Sequence, residues 1–134
     1  MSPEEYRADV IRYWWSKAGE SLQSAERELQ AGSLGFALNR IYYAAFYAVS
    51  AALLDRRATF KKHSGVRAAF HHQLIRSGQL DSQWGKFYDQ LFEDRQEGDY
   101  LALIEFEREY VQAQLTRWHE FLRNLRPLIS SLQG

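Results

Sequence analysis

The chain contains no cysteine, and only two of its 134 residues are proline. Without thiols it has no disulfide framework, no thiolate nucleophile and no cysteine-ligated zinc or iron–sulfur site. Pro3 and Pro127 bracket 123 residues free of the helix-breaking ring. No apolar run approaches the roughly 18 residues of a membrane span. The first nine positions already hold Glu4, Glu5, Arg7 and Asp9, which is unlike a secretory leader. A cytoplasmic protein without membrane contact is expected. An excess of either charge is also missing: 17 Lys+Arg stand against 17 Asp+Glu. That excludes binding to nucleic acid by bulk attraction, though not a local basic patch. GxSxG, P-loop, GxGxxG and HExxH patterns are absent as well, and no metal or cofactor is expected.

What is present is a globular composition, 46% apolar with 4 Trp, 8 Tyr and 8 Phe. The length fits one domain, residues 1–134, with its core over about 5–128. Apolar spacing predicts an all-α fold, an up-and-down bundle of four to five helices. A first helix over about Glu4 to Gln30 carries Val10, Ile11, Trp14, Ala18, Leu22, Ala25 and Leu29 at intervals of three and four. A second, Leu34 to about Arg57, is apolar on most of its circumference and rich in alanine, which places it at the centre. A third is expected from a Ser64 cap to Arg76, and a fourth from Asp81 to about Gln96, where Gly98 breaks it. A last helix spans about Ile104 to Leu125.

The zero net charge hides two opposite stretches. Residues 56–80 hold six basic side chains and no acid, whereas residues 81–109 hold nine acids and three bases. The basic loop enters a helix N-terminus, a setting suited to phosphate. The alternative is that the two stretches pair with each other, within one chain or across a dimer. Among the histidines, His71, His72 and His119 read as surface or capping residues, while His63 lies in the basic loop. Asp94–Tyr100 (DRQEGDY) reads as a polar turn at a helix end, with Arg95 either a phosphate anchor or part of an ion pair.

Four motifs carry a family resemblance: ALNRIYYAAFYAVSAALL (37–54), KKHSGV (61–66), LIRSGQLD (74–81) and LFEDRQEGDY (91–100). In that order and spacing the chain resembles the HEPN (higher eukaryotes and prokaryotes nucleotide-binding) domain. The likeness is to the small single-domain prokaryotic branch, and covers about residues 5 to 128. It implies a helical bundle, usually a homodimer with a shared cleft. Many HEPN proteins are metal-independent ribonucleases whose motif is an Arg followed four to six residues later by a His. Arg95 falls at the Arg position. The residues four to seven places on are Asp99, Tyr100, Leu101 and Ala102, so Asp99 stands where a His is expected.

Standalone members commonly pair with a minimal nucleotidyltransferase (MNT) as a toxin–antitoxin module, and in some pairs a Tyr just beyond the motif is adenylylated. The resemblance thus marks Arg95 and Asp99 as catalytic positions and Tyr100 as a modification site. Arg95, Tyr100, Arg40, Tyr43, Lys61, Lys62 and His63 are the candidate nucleotide- or RNA-binding residues. The function expected is the HEPN partner of such a transferase. A non-catalytic nucleotide- or RNA-binding dimer and a structural partner adaptor are the alternatives.

Overall fold

Ser2 starts the first helix. Its hydroxyl accepts from the Glu5 amide at 3.1 Å, and Pro3 occupies the first helical turn, where its missing N–H leaves nothing unpaired. The computed structural model describes residues 1–58, 62–100 and 105–133, with only the backbone of 97–100. Helix α1 spans Pro3–Gln30 and α2 spans Leu34–Asp55. They form a hairpin whose turn passes through Gly32 at φ +82°, a left-handed conformation that favours glycine. Ala44, Ala45, Ala48, Ala51 and Ala52 of α2 are fully buried. Their small side chains let α1 and the α-helices that follow all pack against this one helix.

Helix α3 spans His63–Phe70 and widens into a π turn over His71–Ile75. It therefore starts one residue before the expected Ser64 cap, with Lys62 at the N-cap and no side-chain cap bond there. Helix α4 spans Ser82–Tyr100, and Asp81 caps it as expected, accepting from the Gln83 amide at 2.9 Å. The expected break at Gly98 does not occur, so residues 94–100 are the end of a helix rather than a turn. A helical glycine costs about 1 kcal/mol relative to alanine, which does not stop the helix here. Asp94 is buried and takes hydrogen bonds from Gln90 Nε2 at 2.9 Å and from the Tyr110 hydroxyl.

Helix α5 spans Arg108–Leu125, four residues later than the apolar spacing predicts. Glu105–Glu107 are non-helical, and residues 101–104 lie outside the described part. Short 3-10 turns follow at Arg126–Leu128 and Ser130–Leu132. The expected all-α bundle is thus observed, with five α-helices and no strand among the described residues. None of these helices is long and apolar enough to cross a membrane.

Aromatic rings link the core to one end of the bundle. Phe121 of α5 lies 5.7 Å from both Trp84 and Phe87 and 6.0 Å from Phe70, between ring centroids. Phe70 continues to Tyr88 at 5.1 Å, and Tyr88 to Tyr42 at 6.1 Å.

The π turn holds His71 against α4. Its Nε2 is 2.9 Å from Asp89 Oδ1, and a Cβ on Gly85 would stand 2.8 Å from His71 Cε1. Because Asp89 pins the ring, Gly85→Ala is expected to lower stability by about 1–2 kcal/mol despite its better helix propensity. In a His71→Ala background the same change should become neutral or stabilising. Thermal or urea unfolding of the two single variants and the double variant checks this.

Candidate functional site

One turn of α2 anchors the site. Ser21, buried on α1, donates its hydroxyl to the Arg40 carbonyl at 2.7 Å and fixes that turn. The Asn39 Oδ1 accepts from Arg40 Nε at 3.0 Å and also from Nη2, which aims the guanidinium. Its Cζ then lies 5.2 Å from the centre of the Tyr43 ring. From α4, Arg95 places its Cζ 5.3 Å from the same ring and 5.4 Å from that of Tyr42. Contacts of this kind add about 0.5–2 kcal/mol each, and they locate the two charges.

His63, the first residue of α3, completes the cluster. Its Nδ1 lies 2.8 Å from the Tyr42 hydroxyl, and its ring stacks on Phe46 at 4.3 Å and 15°. Burial, then the positive charge of Arg95, hold the imidazole below its ordinary value of 6.5. Burial also pushes the Tyr42 hydroxyl up to about 12. Both groups are therefore neutral near pH 7. In the neutral tautomer that donates from Nδ1 to the Tyr42 oxygen, Nε2 is unprotonated.

Beside this cluster opens a cavity of about 680 Å³, lined by Arg40 and Arg95 together with Ser33, Phe36, Asn39 and Glu28. It faces the start of α2, where the Ser33 cap makes no side-chain bond and the first turn holds no acid. Such a helix start leaves backbone amides directed outward. Among the described residues no three or more His, Asp or Glu side chains converge as a metal cage requires.

Of the residues singled out in the sequence, the structure unites Arg40, Tyr43, His63 and Arg95. Lys62 is exposed at the N-cap of α3 and, among the described residues, makes no hydrogen bond or ion pair with the cluster. Lys61 and the side chains of Asp99 and Tyr100 lie outside the described residues. The basic stretch does not act as one surface. Arg56 donates to Gln79, Arg57 pairs with Glu4, and Arg67 Nε bonds Asp89 Oδ1 at 2.8 Å. Of these three, the last joins the basic stretch to the acidic one. Arg56 follows Tyr42 by fourteen positions, roughly 20 Å at the rise of a helix, so it is remote from Arg95. Histidine 71 is not a free surface residue either, since it shares Asp89 with Arg67.

Tyr42, Asn39 and Phe36 were not among the sequence candidates. For Phe36 and Asn39 the available signal was spacing: Phe36, Asn39, Arg40 and Tyr43 recur at three and four positions along one face of α2.

The depressed His63 value has a consequence for stability. In the unfolded chain the imidazole binds a proton more readily than in the folded one. The folded state thus keeps its full stability above about pH 6.5 and loses part of it as the pH falls through the folded value. His63→Ala should flatten this acid limb in unfolding experiments. By NMR the His63 titration midpoint should lie below 6.5, and Arg95→Ala should raise it only part of the way, because burial is the larger cause.

Comparison with other proteins agrees with this architecture. The family model described as HEPN domain matches residues 11–127. A Thermotoga maritima protein named "UPF0332 protein" is 44% identical over 124 residues, covering 92% of this chain and 94% of its own length. A Methanocaldococcus jannaschii protein named "Putative toxin" is 35% identical over 115 residues, or 86% of this chain and 78% of its own. A second such M. jannaschii protein is 29% identical over 88 residues, 60% of this chain and 66% of its own. With most of its length matched and the all-helical bundle observed, the chain belongs to the HEPN domain family.

Proposed function

We propose that this protein is the toxin-type HEPN partner of a minimal nucleotidyltransferase, and that its Arg95 centre engages a phosphate of RNA or of a nucleotide. The observation that carries this reading is the pair of guanidiniums, Arg40 and Arg95, held against one tyrosine ring and lining one cavity. The planar guanidinium fork of each matches phosphate oxygens. The relatives named as toxins support the toxin part of the reading. The transferase partner, and adenylylation at Tyr100, rest on the resemblance to HEPN proteins so paired.

The chemistry available is cleavage of RNA by its own 2′-hydroxyl. His63 is neutral, and with Nδ1 donating to Tyr42 its unprotonated Nε2 is able to take the 2′-OH proton. The 2′ oxygen then attacks the adjacent phosphorus while Arg95 balances charge on the non-bridging oxygens. The P–O5′ bond breaks, the departing oxygen takes a proton from water, and a 2′,3′-cyclic phosphate remains. A second reading, a nucleotide- or RNA-binding dimer without catalysis, is favoured by the absence of an imidazole at positions 99–102. Exposed Tyr6 and Tyr13, with half-buried Trp14 stacked on Tyr47 at 5.4 Å, give a face for a second copy or for the transferase.

Expression of the protein alone is expected to arrest growth, and co-expression of its transferase to relieve it. With labelled single-stranded RNA, Arg95→Ala should abolish binding and cleavage together. His63→Ala should retain binding and lower cleavage about 10²–10⁴-fold. Binding without cleavage by the wild type would establish the non-catalytic reading. Absence of both binding and growth arrest would refute the proposal.

A further inference from the structure

His63, Arg67 and His71 recur every fourth residue, which places them along one side of α3 and the π turn that continues it. The first belongs to the site, and the other two meet on a single atom. Arg67 Nε lies 2.8 Å and His71 Nε2 2.9 Å from Oδ1 of Asp89 on α4, and all three side chains are partly buried. The two donors take both lone pairs of that oxygen, so the carboxylate cannot turn away from Arg67 without also leaving His71. Arg67 in addition spreads over Phe92 of α4, with Cζ 4.8 Å from the ring centre, and Phe92 meets the Tyr42 ring edge-on at 5.9 Å. Contacts thus run without a gap from Asp89 through Arg67 and Phe92 to the tyrosine that His63 touches.

We propose that Asp89 is a positioning residue for His63: by clamping Arg67 from α4 it sets how closely α3 holds the imidazole against Tyr42 and Phe46. Helix α3 is in need of such a clamp. It has eight residues, its N-cap makes no side-chain bond, its first turn holds no acid, and only Val66 and Phe70 of it are buried. A helix of that length has no stability of its own, so its neighbours decide where it lies. The clamp comes from the helix that also carries Arg95, and it therefore registers His63 against the other half of the site. The π turn serves the same end by bringing His71 to Asp89; such turns are rare and concentrate at functional sites. The consequence for catalysis rests on the reading of His63 as the base, whereas the clamp itself does not. Around His63, among the described residues, stand Tyr42 and Tyr43 of α2 and Arg95 of α4. Release of α3 draws the imidazole out of this buried setting and away from a positive charge, and both changes raise its affinity for a proton.

The test is a double-mutant cycle on Asp89→Ala and Arg67→Met in the whole protein, with the His63 titration followed by NMR and RNA cleavage measured alongside. Methionine keeps an apolar stem over Phe92 and removes the guanidinium fork. Each single variant should move the His63 midpoint upward toward 6.5, and the double variant should move it no further than either. Asp9→Ala, which breaks the exposed pair with Arg12 on α1, should not move it. In the Asp89→Ala and Arg67→Met variants kcat for RNA should fall about 10–100-fold with KM little changed, because Arg95 is retained. Circular dichroism and thermal unfolding verify the fold, and should Asp89→Ala fail to fold, Arg67→Met carries the same test. An ion pair that only stabilises the fold would lower the unfolding temperature and leave the His63 midpoint at its wild-type value. That result in folded variants, or additive shifts in the double variant, overturns the proposal. A midpoint that moves while cleavage is absent or unchanged upholds the clamp and refutes His63 as the base.

Discussion

The buried ring of Tyr42 is the joint on which this molecule turns. It is fully enclosed, in contact with Tyr88 and Phe92 of α4, and belongs to the core as much as any alanine of α2. Yet its hydroxyl meets His63 and its face meets Arg95. Helices α3 and α4 thus both close on a single ring of α2, and none of the three can shift without disturbing the others. A side chain with an apolar body and one polar atom is suited to this position, because it can be buried deeply and still present a hydrogen bond at the boundary. The neutrality of His63 follows from the same burial, which penalises the charged imidazole before the field of Arg95 adds to the effect.

Much of this was readable from the sequence. The stripe from Val10 to Leu29, the alanines of α2, the Asp81 cap and the scarcity of proline lead to an all-helical bundle with α2 at its centre. The motif order led to the family, and Arg40, Tyr43, His63 and Arg95 do meet. Local signals failed where tertiary contacts overruled them. Gly98 reads as a breaker, but α4 continues through it beyond a buried Asp94 held by Gln90 and Tyr110. Ser64 reads as a cap, but the helix begins at His63, where the imidazole is drawn inward by Tyr42 and Phe46. Periodicity shows that Phe36 and Tyr42 occupy different faces of α2. It does not show that one is the most deeply placed ring of the site and the other the most exposed.

The balanced charge of the chain is likewise resolved into separate arrangements. The basic stretch is divided among Gln79, Glu4 and Asp89, and the cations of the cavity come from elsewhere, one from α2 and one from the acidic helix α4. Local cation density here is a product of helix packing rather than of sequence runs. A protein with no net charge can in this way hold a small cationic cavity without a generally basic surface.

At the far end of α2, Asp55 accepts from the backbone amides of Ser130 and Ser131 at 3.0 and 3.1 Å and from the Ser131 hydroxyl at 2.8 Å. This clasp joins positions 75 residues apart. A contact so distant in sequence closes a long loop, and its hydrogen bonds offset the entropy lost when that loop closes. Since the clasp and the Arg95 cavity lie at opposite ends of the same helix, fraying of the tail loosens the end of α2 that the cavity does not use.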